Sequence, residues 1–293
     1  MPCAPSLVTP AIKVTGLTKT VPGGKALDCV DLTIHPGETV ALLGGSGSGK
    51  STLLRQLTGF SVGDADQGSV ELLGQPVQAC GHVARGVRRL RSRVGVIFRQ
   101  SNLVDRLPVM TNLLVGALGR TPSWRSLTGF FDDDDIALAR TSLERVGLGA
   151  AAQQHAAVLT AAQQQRAAIA RALVQRAEVI LADEPVALLE PEAAQSVMEM
   201  LLRLNAEDGT TLLVSLRHRE TAVRYFSRVV ALKEGRVVYD GDAAALTPTL
   251  LRSLFAGADE TAPAGTAPPR MEAQTVAEPR RQAGMMPAMW VPG

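Results

Sequence analysis

Gly44-Gly45-Ser46-Gly47-Ser48-Gly49-Lys50-Ser51 fills every position of the pattern G-x-x-x-x-G-K-[ST], between the apolar run Thr39–Leu43 and the helical stretch Ser51–Leu57. Strand, glycine loop, helix is the order in which a backbone can wrap a chain of phosphates. The glycines let successive N–H groups turn inward, the helix N-terminus adds partial positive charge, Lys50 supplies a mobile cation and Ser51 offers a hydroxyl to Mg²⁺. Gly44, Gly45, Ser46, Gly47, Ser48, Gly49, Lys50, Ser51 and the following Thr52 are the candidate nucleotide-binding residues. The plainer reading, a flexible Gly/Ser turn ahead of a helix, is disfavoured by the complete pattern and its setting.

A second feature complements the first. Val179-Ile180-Leu181-Ala182-Asp183-Glu184 places four apolar residues ahead of two carboxylates, so the acids emerge at the C-terminal end of a strand, where open parallel sheets bind ligands. Asp183 is suited to hold Mg²⁺, directly or through water. Glu184 is suited to orient or deprotonate an attacking water as general base, the need of in-line phosphoryl transfer. Alone, such a run often marks only a strand reaching the surface; beside the phosphate loop it gains force.

The remaining composition narrows the function classes. The 293 residues, 46% hydrophobic and 20% charged, suffice for a full core in one large domain or two small ones. Thirty basic against 28 acidic side chains leave a formal charge of +2, too weak a field to gather nucleic acid or an anionic membrane. With two Trp, two Tyr and six Phe a base-stacking surface is also disfavoured, so no nucleic-acid partner is expected. Cys3, Cys29 and Cys80 form no C-x-x-C pair, and His35, His82, His155 and His218 have no metal-ligand spacing, which fits a reducing cytoplasm. The first residues lack a signal-peptide pattern, and no run approaches the roughly 18 uninterrupted apolar residues of a spanning helix. Work at a membrane would pass through a partner.

Along the chain, residues 1–10 read as an N-terminal extension and 11–257 as an α/β domain. Its strands are expected at Ala11–Thr15, Val30–Ile34, Thr39–Leu43, Val94–Phe98, Val179–Ala182, Thr211–Ser215 and Val229–Leu232. The stretch from Phe98 to Val179 is too long for one crossover and predicts an inserted helical subdomain over about 99–176. Residues 258–293, rich in Ala and Pro without apolar periodicity, predict a disordered tail; Met285, Met286, Met289 and Trp290 leave open a weak docking peptide. Asp132 to Asp135 read as a solvated loop leading into a helix from Ile136, in preference to a metal site. Arg88, Arg89, Arg91 and Arg93 read as the decoration of an exposed helix, or as a contact for acidic groups on a membrane partner.

With the two phosphate-site motifs and Gln163-Gln164-Gln165-Arg166 ahead of the second, residues 11 to about 245 resemble the nucleotide-binding subunits of ABC transporters. Asn102-Leu103-Val104, Asn112-Leu113-Leu114 and especially Leu118-Gly119-Arg120-Thr121-Pro122-Ser123-Trp124-Arg125-Ser126-Leu127 look like the ATP-binding subunit of bacterial phosphonate importers. The resemblance implies a P-loop NTPase with a mixed sheet core and an inserted helical subdomain. It further implies ATP and Mg²⁺ as ligands, and a homodimer sandwiching ATP between one copy's phosphate loop and the other's signature segment. A membrane permease is the implied partner, with an extracytoplasmic phosphonate-binding protein as an indirect one. The subunit would sit peripherally on the cytoplasmic face of the bacterial inner membrane.

Six positions depart from that pattern. Val21 stands where an adenine-stacking aromatic is expected, forfeiting about 1 kcal/mol of aromatic interaction. Arg99 occupies the glutamine position that contacts Mg²⁺ and water, with Gln100 one place later; a fixed cation there would be repelled by the metal. The signature Leu-Ser-Gly-Gly-Gln reads Leu159-Thr160-Ala161-Ala162-Gln163. Thr160 and Gln163 still make a capping box, while Ala161 and Ala162 cost about 1 to 2 kcal/mol wherever positive φ is required; an ordinary capped helix without any trans contact is the alternative. Ala187-Leu188-Leu189-Glu190-Pro191 replaces Ser-x-Leu-Asp, and Glu190-Pro191 also reads as a helix start. Arg217 aligns with the switch histidine, with His218 one step on; Arg217 can grip a γ-phosphate but is not expected to reproduce a neutral imidazole's contact with Glu184, and the plainer reading is a salt-bridged surface arginine. Gly45 replaces a commoner proline and only loosens the loop.

The leading expectation is therefore an ABC-type ATPase coupling MgATP to uptake of phosphonate or a related phosphorus oxyanion, with turnover questioned by Arg99, Ala161, Ala162, Glu190 and Arg217. The alternative is a nucleotide-binding module with impaired hydrolysis, acting as a regulatory or structural partner.

Overall fold

A computed structural model describes residues 9–65, 67–120 and 131–255. Its organising element is β3 (Thr39–Leu43), a five-residue apolar strand in a six-stranded sheet. The sheet order is β11 (Arg236–Asp242), β10 (Arg228–Lys233), β3, β9 (Thr211–Leu216), β8 (Val179–Asp183) and β7 (Val94–Ile97). All neighbours run parallel except β11, which pairs antiparallel with β10. Parallel alignment brings the C-terminal ends of β3, β8 and β9 to one edge: Leu43 pairs with Leu216, and Asp183 pairs with Ser215. The residues that follow, Gly44, Glu184 and Arg217, consequently converge.

Both faces of this sheet are buried, which is why its strands are nearly all apolar. Side chains alternate between two cores, as the period of two requires. Val40, Leu42, Leu181, Leu213 and Val230 face one way. There they pack on Leu53, Leu54 and Leu57 of α1 (Lys50–Leu57) and on a second, five-stranded antiparallel sheet. That sheet runs β2 (Gly24–Ile34), β1 (Ile12–Val21), β4 (Ser69–Leu72), β5 (Gln75–Ala79) and β6 (His82–Val83). Ala41, Leu43, Ala182, Val214 and Ala231 face the opposite core, which includes residues of the helices.

The expected strands are all present, with β1 and β2 longer than expected. β4, β5, β6 and β11 were not anticipated; they are short or polar, and Ser69-Val70-Glu71-Leu72 buries only alternate residues. Between β7 and β8 lie α3 (Val109–Leu114), α4 (Asp133–Arg145) and α5 (Ala161–Val174). α5 presents Ala167, Ala168, Ile169, Ala170, Ala172 and Val174 inward, small residues that let neighbouring backbone approach.

Two readings of charge runs need correction. Asp133, Asp134 and Asp135 form the first turn of α4 with Asp132 as N-cap, rather than a loop, because acids complement the partial positive charge of a helix N-terminus. The arginine run starts in α2 (Val87–Arg91) but does more than decorate it. Arg91 donates to the carbonyls of Thr58 at 2.8 Å and Gly59 at 2.7 Å, and Arg93 pairs with Glu178, so both tie separate segments together. The expectations on residues 1–8, on Thr121 to Leu127 and on the tail fall outside the described residues, apart from its approach through α8 (Pro248–Phe255). Among the described residues no helix is long and apolar enough to cross a membrane.

Candidate nucleotide site

The loop from Gly44 to Gly49 is held by close backbone approach. Gly49, N-cap of α1, has φ 104°, and a Cβ there would lie 2.5 Å from the Ala26 carbonyl oxygen. A Cβ on Gly44 would lie 2.7 Å from the Leu232 carbonyl oxygen. At Gly45, by contrast, a Cβ would meet nothing within 4 Å, which agrees with a departure that only loosens the loop. Lys50, 4% exposed, folds back to donate to the carbonyls of Gly44 at 2.7 Å and Gly45 at 2.9 Å. Burial pulls its pKa below the usual lysine value; Arg217 adds to this, while Glu184 and Asp183 oppose it. The Ser48 hydroxyl is buried without a hydrogen-bond partner. An anion in the loop would satisfy both Ser48 and Lys50.

Beside the loop, Ser51 donates to Asp183 Oδ1 at 3.0 Å. The same oxygen accepts from Ser215 at 2.7 Å, and Ser215 Oγ in turn accepts the Glu184 N–H at 2.8 Å. Ser51 and Asp183 are a hydroxyl and a carboxylate at contact distance, the hard oxygen donors that Mg²⁺ prefers. That ion usually takes one or two protein ligands and completes its shell with water and phosphate oxygens. Among the described residues no group of three or more His, Cys, Asp or Glu side chains could hold a metal. The donor set thus fits a magnesium ion that arrives with phosphate.

Glu184 is 7% exposed and sits at φ 46°, a conformation that costs a non-glycine residue about 1 to 3 kcal/mol. Its Oε1 accepts from Arg217 Nε at 2.7 Å and lies 3.8 Å from Lys50 Nζ. Its Oε2 is 3.6 Å from Arg99 Nη1 and has no hydrogen-bond partner. Glu184, Arg217 and the loop residues from Ser46 to Thr52 line an open cleft of about 510 Å³, which extends to the β1–β2 turn at Val21 to Ala26. On the far side of Glu184, Gln165 donates to the carbonyls of Phe98 at 2.9 Å and Pro185 at 2.7 Å. It thereby pins the Arg99 loop to the turn after β8.

The family model described as ABC transporter matches residues 27–187, from β2 through the carboxylate pair. The chain is 50% identical over 246 residues to the phosphonates import ATP-binding protein PhnC of Paraburkholderia xenovorans (strain LB400), covering 84% of this chain and 82% of the relative. The chain belongs to the ABC transporter family. A second ABC relative carrying the same name, from Stutzerimonas stutzeri, is 54% identical over 250 residues, 85% of this chain and 90% of its own. The solved ATP-binding cassette MJ0796, a dimer bound to ADP and Pi, superposes with a TM-score of 0.68 at 29% identity over 79% of this chain and 98% of that one.

Each ABC position that departs in sequence has a definite place. Val21 ends β1 at the cleft, 39% exposed and without a ring to offer a base. Arg99, not Gln100, reaches Glu184, so the loop has not slipped to restore the glutamine; both side chains are exposed. Thr160 caps α5 as expected: its Oγ1 accepts the Gln163 N–H at 3.3 Å, while its own N–H donates to Gln163 Oε1 at 2.9 Å. Ala161 and Ala162 occupy the first turn of α5, and neither has positive φ, so the strain considered for them is absent. Glu190 is the N-cap of α6 (Pro191–Asp208), with Pro191 at its first position, as the plainer reading holds. Arg217 is salt-bridged, as the plainer reading has it, and its partner is Glu184. His218 caps α7 (Arg219–Tyr225) instead.

Ser215 and Gln165 are the residues sequence reasoning did not single out. Ser215 had a signal: it is a hydroxyl near the end of an otherwise apolar, fully buried strand, aligned with the acid end of its neighbour. Gln165 is polar yet buried in α5, where the surrounding glutamine run hides which member turns inward.

Proposed function

We propose that this chain is the ATP-binding subunit of an importer that couples MgATP binding and hydrolysis to uptake of phosphonate, or a related phosphorus oxyanion, through a membrane permease. The observation that carries this reading is the convergence, on one sheet edge, of the glycine loop, the Ser51–Asp183 pair and the buried Glu184. The names of the relatives support the substrate class.

In this reading Gly44 to Thr52 wrap the phosphates, and Lys50 leaves its own loop carbonyls for the β- and γ-phosphates. Ser51 and Asp183 hold Mg²⁺, which when bound neutralises charge on the phosphate oxygens. Glu184 takes the proton of the attacking water as general base, with Ser215 fixing its backbone. Thr160, Ala161, Ala162 and Gln163 face the nucleotide of a second copy in a homodimer. The assembly works peripherally at the cytoplasmic face of the inner membrane, served by an extracytoplasmic phosphonate-binding protein. The domain runs over 11–257, with a helical subdomain over about 99–176 that engages the permease.

Purified chain reconstituted with its permease and binding protein in vesicles tests this. ATP-dependent phosphonate uptake that disappears in Lys50→Ala is the expected result; absence of uptake with folded protein overturns it. A second reading, a nucleotide-binding module with impaired hydrolysis, is favoured by one observation: Arg217 hydrogen-bonds Oε1 of Glu184 while Arg99 stands within ion-pair range of Oε2. It expects MgATP binding with turnover that does not change in Glu184→Gln.

A further inference from the structure

The cleft that carries the phosphate loop has two unlike ends. Glu184 and Arg217 stand at one, and the β1–β2 turn from Val21 to Ala26 stands at the other. A nucleotide whose phosphates lie in the loop, the terminal one toward Lys50 and Glu184, therefore carries its sugar and base toward the turn.

That turn is held in place. Val21 pairs with Gly24 across Pro22-Gly23, and Gly23, at φ 105°, makes the reversal. One residue earlier, Asp64 accepts from the Thr20 N–H at 3.0 Å and from the Thr20 hydroxyl at 2.7 Å. Just after the turn, Lys25 donates to Asp28 at 2.7 Å, and Arg236 pairs with the same carboxylate.

A base is selected by hydrogen bonds to its edge and held by stacking on its face. Val21 presents methyl groups, and Gly23 and Gly24 present bare backbone, with open space where a Cβ would stand. Lys25 is the one polar side chain from Val21 to Ala26, and Asp28 already engages it. Among the described residues that line the cleft none is aromatic. The loop end is the opposite: buried Lys50 and the buried, unpartnered Ser48 hydroxyl are set for phosphate oxygens.

We propose that this site selects its ligand by the phosphate chain and not by the base: its substrate class is the nucleoside triphosphates as a whole, purine and pyrimidine alike, and Val21 sets that breadth. The proposal rests on the nucleotide-site reading above and widens its ATP to a class of which ATP is one member.

The test measures the affinities of the full chain for ATP, GTP, CTP, UTP and inorganic tripolyphosphate in Mg²⁺, by competition against a triphosphate labelled on its ribose. The proteins are wild type, Val21→Tyr, Val21→Ala and Lys50→Ala. The expected result in wild type is a spread of less than about tenfold among the four nucleotides, less than one hydrogen bond of discrimination. Val21→Tyr should tighten the nucleotides about fivefold relative to tripolyphosphate, purines more than pyrimidines, as one stacked ring would. Val21→Ala should leave the ratios among the nucleotides as they are. A wild type that binds ATP more than about tenfold tighter than the other three contains a base-reading contact and overturns the proposal. So does a folded Val21→Tyr chain whose ratios to tripolyphosphate stay put, because the base then lies elsewhere. Should Val21→Tyr not fold, the wild-type spread decides alone. Wild type that binds none of the five better than Lys50→Ala does overturns the nucleotide-site reading and this proposal together, whereas Lys50-dependent binding with a strong preference for ATP overturns the breadth only.

Discussion

The phosphate loop and the side chains around Glu184 share one edge of one sheet, yet they are fixed by different parts of the chain. From Gly44 to Gly49 the site is backbone: carbonyls of Ala26 and Leu232 press against glycines that admit no Cβ, and α1 begins where the loop ends. Around Glu184 the site is side chain, with Arg99, Arg217 and Gln165 entering from three separate segments. Where backbone presses this closely, as at Gly44 and Gly49, almost no substitution is tolerated, whereas Gly45, in open space, is free to depart. A side-chain-built half can take arginine at Arg99 and Arg217 and still close on Glu184 from separate segments.

The largest expected effect tests whether the side-chain half still works as a base. Glu184→Gln should lower ATP turnover by about 10²- to 10⁴-fold, with MgATP binding retained, in a steady-state phosphate-release assay. Unchanged turnover would place this half outside the chemistry. Next, Lys50→Ala should weaken ATP binding about 100-fold, since it removes a buried charge from the phosphates, as read by calorimetry. On the backbone half, Gly49→Ala should cost about 2 kcal/mol or more of stability in urea unfolding, because it adds both a strained φ and a clash. Gly45→Ala, with open space around it, should be neutral within about 0.5 kcal/mol; equal losses at both positions would break the distinction.

The smallest effect lies away from the site, in the Arg93–Glu178 pair. Arg93's hydrogen bonds hold the Glu178 carboxyl below its usual pKa, against an opposing effect of burial. A depressed folded-state pKa stabilises above the unfolded value, about 4.3, and that stabilisation is lost as pH falls through the folded value. Glu178→Gln should therefore cost no more than about 0.5 kcal/mol at pH 7, given the pair's exposure, and nothing at pH 2.

The backbone half was legible in sequence because its pattern is contiguous: glycine, lysine and serine at fixed spacing between a strand and a helix. The carboxylate pair was legible for the same reason, and so were the Thr160–Gln163 cap and the Glu190–Pro191 helix start. What the sequence left open was which of two neighbours turns inward, Arg99 or Gln100, Arg217 or His218. That choice belongs to the tertiary structure, through the Gln165 hydrogen bonds in one case and the end of β9 in the other. The antiparallel sheet from β4 to β6 escaped because its strands are short and half polar, so their pairing with β1 carries the structure more than their own composition does.

Gln165 has one further consequence. A single amide nitrogen holds the carbonyls of Phe98, just after β7, and of Pro185, next to Glu184, and it is carried by the N-terminal half of α5, five residues after its cap Thr160. A tilt of α5 would therefore displace the segment after β7 and the turn after β8 together.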